Sequence, residues 1–205
     1  MLQTVLCGAA CAAAAYLLGS LSFSIIVTRL LYHKDIRTFG SGNAGMTNVL
    51  RTFGKGAAAL TIVGDIGKGI LAVLLAKWAF GAFTAADPIY GAYIAAFCAV
   101  LGHVYPVYFG FKGGKAVATS IGVLIPLAFW QLLIAVCICL FLIWRSGFVS
   151  LGSLALVTAM PILLALSGKF GLLPLSLIIL ALVFWSHREN IRRLAKGEEK
   201  TWIKK

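Results

Sequence analysis

Long apolar segments recur along the whole chain and limit what it can fold into more than any other feature. They lie at about residues 4–31, 57–80, 89–106, 116–144, 149–167 and 170–186. An apolar segment of about 20 residues can cross a bilayer as an α-helix. Hydrophobic residues make up 61% of the chain and charged residues only 12%, whereas soluble domains have about 45–50% and about 25%. The sequence therefore predicts an all-α, polytopic membrane bundle with residues 1–205 in one domain.

The charge distribution predicts which loops face the cytoplasm. The net charge is +12, and in a membrane protein such an excess is typical of cytoplasmic loops rather than of nucleic-acid binding. The loops at 32–56 and 110–115 are basic, as is the tail from His187, whereas the loop at 80–88 contains one acid and no base. We therefore expect the basic loops and the C-terminus inside, the 80–88 loop outside, and no nucleic-acid partner.

Segment 116–144 has an unusual length for a membrane span. Its 29 residues would reach about 43 Å as a helix, against a hydrocarbon core of about 30 Å. A single crossing would place the seven positive charges of the tail outside, against the positive-inside rule. A break near Pro126 avoids this conflict, because it divides the segment into two short spans. The sequence thus predicts about seven crossings, with the N-terminus outside and the C-terminus in the cytoplasm.

The glycine–lysine loop (residues 110–115) has the composition of a phosphate site. Gly113 and Gly114 lack Cβ atoms, so their N–H groups can approach a ligand closely. Lys112 and Lys115 add charge, and the helix that follows directs its positive end to the same place. The loop is not a Walker A motif, because Ala116 stands where a hydroxyl residue is required. A plain basic loop that obeys the positive-inside rule explains the same residues about equally well.

Three polar segments, at 37–55, 110–120 and 187–197, are predicted to converge on the cytoplasmic face together with the shorter turn at 145–153. Their Gly, Ser, Thr and Asn residues are not explained by the positive-inside rule. Asp65 and Lys68 lie within a span, three residues apart and so on one helical face. We expect them to form an internal ion pair rather than a substrate contact. No cluster of acids, His or Cys has metal-ligand spacing, so neither a metal nor a cofactor is predicted.

The three segments resemble the motifs of a known family. GSGNAGMTNVLRTFGK (40–55), GFKGGKAVAT (110–119) and HREN-IRRL-KG (187–197) are similar, in this order, to the motifs of the bacterial acyl-phosphate:glycerol-3-phosphate acyltransferases, the PlsY type. VSLGS (149–153) resembles a fourth recurrent segment. The family usually has GSGNPGATN and often GGKGVAT, whereas this chain has Ala44, Met46 and Ala116 at the differing positions.

The resemblance implies an activity. Such an enzyme transfers a fatty acyl group from acyl phosphate to the 1-hydroxyl of glycerol 3-phosphate, giving lysophosphatidic acid and phosphate. This is the first acylation of bacterial phospholipid synthesis, at the cytoplasmic face of the plasma membrane. The partners are then the two small-molecule substrates and membrane lipid, and no protein partner is evident in the sequence. The acyl-CoA type of enzyme is not indicated, because none of the three histidines begins an H-x-x-x-x-D motif.

The resemblance also implies roles for individual residues. The acyl phosphate is assigned to Gly113, Gly114, Lys115, Val117, Ala118 and Thr119, and the glycerol phosphate to Ser41, Asn43, Arg51, His187, Arg188 and Asn190. Further substrate-binding candidates are Thr47, Asn48 and Ser153. The residues expected to act in catalysis are Ser41, Arg51, Lys115 and His187. The general base stays open between His187 and the substrate phosphate, whose second pKa is near 6.

Two other functions fit the residues alone. A transporter of a phosphorylated solute would also use broken helices and an anion site, although the two halves show no internal repeat. A scaffold for acidic lipid head groups would need Lys and Arg but not the ordered Gly, Ser and Asn.

Overall fold

The computed structural model describes residues 1–202. Lys204 and Lys205, which the charge argument assigns to the cytoplasmic tail, lie outside the described residues. Between residues 1 and 202 the chain forms nine α-helices joined by short turns and 3₁₀ segments. They are α1 (Leu2–Gly19), α2 (Phe23–Tyr32), α3 (Met46–Phe53), α4 (Lys55–Phe83), α5 (Pro88–Val104), α6 (Val117–Ser146), α7 (Val149–Leu166), α8 (Leu173–Ser186) and α9 (Arg188–Ala195). Two compact units, Met1–Leu127 and Ala128–Lys205, divide the chain.

The first span, predicted as one helix at 4–31, is broken in the first unit. α1 ends at Gly19 and α2 begins at Phe23. The break leaves the Leu21 carbonyl without a helical partner, and Lys68 Nζ donates to it at 2.6 Å. Broken helices are tolerated at membrane depth where another group satisfies the backbone in this way.

Helices α1, α4 and α5 pack together through small residues. A Cβ atom on Gly19 would overlap the backbone of Ala99 in α5, and one on Gly102 would overlap the carbonyl of Tyr16 in α1. Close backbone approach at glycine is a common way of packing helices in membranes. This packing fixes the C-terminal end of α5, from which the glycine–lysine loop follows.

The first polar segment contains a helix that the sequence reading treated as loop. α3 (Met46–Phe53) begins after Gly45 and ends at Gly54, whose φ is 88°. Its inner face buries Asn48 and Val49 against the core formed by Ile25, Ile36 and Ala44. The segment at 37–55 is therefore a loop followed by a short amphipathic helix.

α6 is not continuous, as predicted. Ala128 has non-helical angles (φ −151°, ψ 53°) two residues after Pro126. Pro126 lacks the N–H that a continuous helix needs, and its ring crowds the preceding turn. The predicted break near Pro126 is confirmed, and the two units meet along the chain at this point.

In the second unit, α7 packs against α8, and both contact α9. α8 ends at His187, and the chain bends by 64° between the segment Phe170–Ser186 and α9. This bend places the polar residues of α9 close to the first turn of α7.

Within the described residues, five helical segments are long and apolar enough to cross a membrane, or six if the bent pair at the C-terminus counts as one. The all-helical, multi-pass prediction is confirmed. The prediction of about seven crossings, which counts the two parts of α6 separately, and the orientation of the termini stay predictions.

Candidate functional site

The side-chain amide of Asn48 holds the preceding loop together through hydrogen bonds to its backbone. Its Nδ2 group donates to the carbonyl oxygens of Phe39 at 2.9 Å, Asn43 at 3.1 Å and Ile36 at 3.2 Å. Its Oδ1 atom accepts from the N–H of Ser41 at 3.1 Å. The side chain is buried and its hydrogen-bonding capacity is used by the loop backbone. This amide therefore holds the loop, and the prediction that Asn48 also binds substrate stays a prediction.

The same loop presents other predicted residues outward. Ser41 and Arg51 are exposed, and Asn43 and Thr47 are half-buried. Gly40 has φ +59°, and a Cβ atom there would overlap Asn48 Oδ1. Asn48 thus shapes the turn that exposes Ser41, which stays a candidate for substrate contact.

An arginine joins the first polar segment to Phe109, the residue just before the second segment. Arg37 Nη1 donates to the Phe109 carbonyl at 2.7 Å, while Arg37 also pairs with Asp35 at 2.8 Å. The hydrogen bonds from Arg37 and Arg29 hold the pKa of the Asp35 carboxyl well below its usual range. Phe109 lies just before the segment at 110–120, and within that segment Gly114 lies against the carbonyl of Ala44. The structure therefore brings together the segments at 37–55 and 110–120, as predicted.

The glycine pair of the glycine–lysine loop packs tightly inside the protein. The N–H of Gly113 donates to Val104 O at 3.2 Å, and that of Gly114 donates to His103 O at 3.1 Å. A Cβ atom on Gly114 would overlap both His103 Nε2 and the carbonyl oxygen of Ala44. These two N–H groups therefore bind the C-terminal carbonyls of α5 and do not face a ligand, while the assignment of Gly113 and Gly114 to the acyl phosphate stays a prediction. The glycines are needed here for close packing.

Lys115 follows this clamped pair, is half-buried, and precedes the start of α6 at Val117. Between them Ala116 adopts φ +59°, a left-handed angle that glycine takes more readily. A left-handed backbone at this position is a physical reason for the glycine that the family motif GGKGVAT often has there.

Thr119 faces the protein interior. Its side chain is 0% exposed, and Oγ1 lies 3.1 Å from His103 Nδ1. This hydroxyl belongs to a buried polar network, and the prediction that Thr119 contacts the acyl phosphate stays a prediction. Val117 and Ala118, in the first turn of α6, are half-buried and stay candidates for substrate contact.

The buried network extends to the predicted ion pair. Lys68 Nζ lies 2.8 Å from Asp65 Oδ1, with both side chains at most 2% exposed, so the predicted internal pair is confirmed. His103 Nδ1 lies 2.9 Å from Lys68 Nζ and 3.5 Å from Asp65 Oδ1. Sequence reasoning missed His103, which is distant in sequence from its partners. The only signal was a histidine just before the loop.

In the second unit an acid organises the third polar segment. Glu199 accepts hydrogen bonds from Asn190 Nδ2 at 2.7 Å, Ser150 Oγ at 3.0 Å and Arg193 Nε at 2.8 Å. Burial alone would raise the pKa of Glu199, but these donors together lower it below its ordinary value. Sequence reasoning missed both Glu199 and Ser150, although an acid within a basic tail was a visible signal.

The remaining predicted residues of the second unit differ in exposure. His187 is 3% exposed and its Nδ1 atom lies 2.8 Å from the Val183 carbonyl. Since only an N–H can bond to a carbonyl, Nδ1 carries a proton and Nε2 is the acceptor of a neutral ring. Ser153 is buried on α7, whereas Arg188 is exposed and stacks on Trp185 with its guanidinium carbon 5.0 Å from the ring centre.

Taken together, apolar helices joined by turns rich in Gly, Ser, Asn, Lys and Arg define a helical membrane protein. Its polar turns contain groups of the kind that bind anions. The comparisons with known proteins refine this class. A model of the family described as glycerol-3-phosphate acyltransferase matches residues 9–197. The chain belongs to this family.

Individual relatives support the same family assignment. The glycerol-3-phosphate acyltransferase of Lawsonia intracellularis (strain PHE/MN1-00) is 50% identical over 187 residues, which cover 91% of each chain. The fold is similar to the crystal structure of PlsY (YgiH), an integral membrane glycerol 3-phosphate acyltransferase, in its glycerol 3-phosphate form. That comparison has a TM-score of 0.86 and 36% identity, and covers 95% of this chain and 94% of the other. The lysophosphatidic acid form of PlsY matches with a TM-score of 0.82 and 34% identity, over the same shares of the two chains. The family resemblance inferred from the three motifs is confirmed.

Proposed function

We propose that this chain transfers a fatty acyl group from acyl phosphate to the 1-hydroxyl of glycerol 3-phosphate, at the cytoplasmic face of the bacterial plasma membrane. The products are lysophosphatidic acid and inorganic phosphate. The observation that carries the proposal is the contact between two motif segments of an acyltransferase family, in which Gly114 lies against the carbonyl of Ala44. Crystal structures of the related PlsY in glycerol 3-phosphate and lysophosphatidic acid forms support the acceptor and the product.

Lys115 binds the phosphate of the donor. It extends from a loop whose preceding residues are fixed to α5, so its backbone position is set before substrate arrives. A positioned ammonium stabilises the negative charge that develops on the leaving phosphate as the carbonyl–oxygen bond breaks. Val117 and Ala118 line the start of α6, whose N-terminal N–H groups favour the same charge.

The glycerol phosphate is bound by the outward-facing residues of the first polar segment. Ser41 and Arg51 are exposed and Asn43 is half-buried. A guanidinium group suits phosphate because it can bond two oxygens at once. For His187, Arg188 and Asn190 of the second unit, the role in binding this substrate stays a prediction.

The acceptor hydroxyl attacks the acyl carbonyl carbon, and the bond from that carbon to the phosphate oxygen breaks. The hydroxyl proton passes to a substrate phosphate, whose second pKa near 6 makes it a competent acceptor at neutral pH. An acyl phosphate is already an activated mixed anhydride, so neither a covalent enzyme intermediate nor a metal is part of the proposal. The alternative base is His187, whose Nε2 atom is the acceptor of the neutral ring.

The proposal is tested by release of inorganic phosphate from palmitoyl phosphate by the purified protein, with and without glycerol 3-phosphate. We expect release that depends on the acceptor, resists EDTA, and falls by at least about a hundredfold in Lys115→Ala. Lys112→Ala is the matched control, because Lys112 is an exposed lysine of the same loop. Absence of release from folded wild-type protein would overturn the proposal and leave solute transport as the next hypothesis to assay in vesicles.

A further inference from the structure

His103 occupies a junction that the proposed reaction does not explain. It lies in the last turn of α5 and is 3% exposed. Its Nδ1 atom is 2.9 Å from Lys68 Nζ and 3.1 Å from Thr119 Oγ1. One ring edge therefore joins α4, α5 and the first turn of α6.

The contacts of Lys68 determine which ring nitrogen carries the proton. Lys68 Nζ is within hydrogen-bonding distance of Leu21 O at 2.6 Å, Asp65 Oδ1 at 2.8 Å and His103 Nδ1 at 2.9 Å. An ammonium group has three protons and no lone pair, so it donates in its contacts with Leu21 O and His103 Nδ1 and forms an ion pair with Asp65. Nδ1 of His103 must then accept, and a neutral ring carries its proton on Nε2.

The other ring edge meets the glycine–lysine loop. A Cβ atom on Gly114 would overlap His103 Nε2, and one on Gly113 would overlap the His103 carbonyl oxygen. That carbonyl also accepts the N–H of Gly114 at 3.1 Å. His103 thus contacts the loop immediately before Lys115 through its ring and its backbone, and contacts Thr119 four residues after Lys115.

We propose that His103 is a positioning residue that holds Lys115 in place from both sides, with the buried Asp65–Lys68 pair fixing the orientation of its ring. The proposal rests on the proposed role of Lys115 in binding acyl phosphate. A side chain acts with full effect only if its backbone is held within a fraction of an ångström of the productive position. Loss of this support is expected to weaken the use of the donor selectively, since the first polar segment keeps its own Asn48 scaffold.

Two substitutions at His103 distinguish the contacts of its Nδ1 atom from those of its Nε2 atom. In His103→Asn the shorter amide can still accept from Lys68 but does not reach Gly114, whereas in His103→Gln the amide reaches further along the direction of Nε2. We expect His103→Asn to raise KM for palmitoyl phosphate by at least about tenfold, with kcat and KM for glycerol 3-phosphate changed by less than about threefold. His103→Gln is expected to recover most of this loss. His33→Asn is the matched control, because His33 is exposed and has a left-handed backbone that Asn accepts.

A second readout does not need activity. Amide hydrogen exchange of the segment 112–119 is measured in detergent without substrate, and we expect His103→Asn to speed exchange at Gly113 and Gly114 by at least about tenfold. Wild-type protein that releases no phosphate, with exchange still faster in His103→Asn, would refute the proposed function alone. Unchanged exchange, or a parallel rise of KM for both substrates in His103→Asn, would overturn the positioning role of His103.

Discussion

The buried Asp65–Lys68 pair allows a quantitative test of the first unit. At 2.8 Å, the gross attraction of two unit charges is roughly 6 kcal/mol for an effective dielectric constant of about 20. Desolvation costs several kcal/mol per ion, so the pair stabilises the fold by far less than this sum. Removing one partner is a different case, because the other charge stays buried without compensation.

We therefore expect Lys68→Met and Asp65→Asn each to lower the free energy of unfolding by about 3–5 kcal/mol. Lys68→Met also leaves the Leu21 carbonyl at the α1–α2 break without its donor. The double variant buries no charge, and we expect it to lose only about 1–3 kcal/mol, the cost of the polar groups left unpaired. The coupling between the two changes is thus several kcal/mol in favour of the double variant.

The measurement is equilibrium unfolding in mixed detergent micelles, followed by tryptophan fluorescence. Lys77→Met is the control, since Lys77 is an exposed lysine on the same helix and its replacement is expected to change stability by no more than about 0.5 kcal/mol. Additive losses in the double variant would refute the reasoning, because they would show that neither charge depends on the other.

Three further changes test the loop and the tail. Gly114→Ala introduces a Cβ atom where His103 Nε2 already lies, so we expect a loss of about 1–3 kcal/mol in thermal unfolding and at least tenfold slower phosphate release. Ala116→Gly removes the strain of a left-handed angle at a residue with a Cβ atom, which stabilises the fold by about 1–2 kcal/mol. It also removes a buried methyl group and increases the backbone entropy of the unfolded chain, which together destabilise the fold by a similar amount. We therefore expect the free energy of unfolding to change by less than about 0.5 kcal/mol. The pKa of Glu199 is lowered in the folded state, so its contribution is present above its ordinary pKa and is lost as pH falls through the folded value. Glu199→Gln should cost about 2 kcal/mol at pH 7 and flatten the dependence of stability on pH in the acid range.

Each of these three substitutions has a control variant that tests the contact to which its effect is attributed. Gly67→Ala adds the same methyl to α4 where nothing lies within 4 Å, and it is expected to stabilise by about 0.5–1 kcal/mol. Ala116→Val combines a branched side chain with the left-handed angle and should cost about 2 kcal/mol or more, unlike Ala118→Val in helical backbone. Glu198→Gln changes the exposed neighbour of Glu199 and should leave stability and its pH profile unchanged. Equal effects within any pair would contradict the contact assigned to it.

Structural features that depend on spacing within one segment could be predicted from the sequence. Asp65 and Lys68 lie three apart in a helix, so their pairing follows from helical geometry. The break in α6 was predicted near Pro126 because a single crossing would have placed the basic tail outside, and the structure has it at Ala128. The convergence of the first two polar segments on one face was predicted from the topology that their charges indicate, and Gly114 of the second lies against the Ala44 carbonyl of the first.

Residues whose roles depend on distant partners were not predictable in this way. His103 is 35 residues from Lys68 and 16 from Thr119, and Glu199 is 49 residues from Ser150. The sequence pattern identifies which kinds of side chain are present. Only the packing of α4, α5 and α6 determines which groups the side chain of His103 contacts. For the same reason the N–H groups of Gly113 and Gly114 were assigned to a ligand, although the carbonyls of α5 take them.

Polar residues of one motif therefore divide into those that build the site and those that face outward, and stability measurements can distinguish them. Asn48 is 3% exposed and bonds four backbone groups of its loop, whereas Ser41 is exposed. We expect Asn48→Ala to lower the free energy of unfolding by about 3 kcal/mol as well as the activity, because several buried partners are left unpaired. Ser41→Ala should lower acceptor-dependent phosphate release while changing stability by less than about 0.5 kcal/mol. If Asn48→Ala lost activity without losing stability, Asn48 would contact substrate after all, and the division between the two kinds of residue would fail at its clearest case.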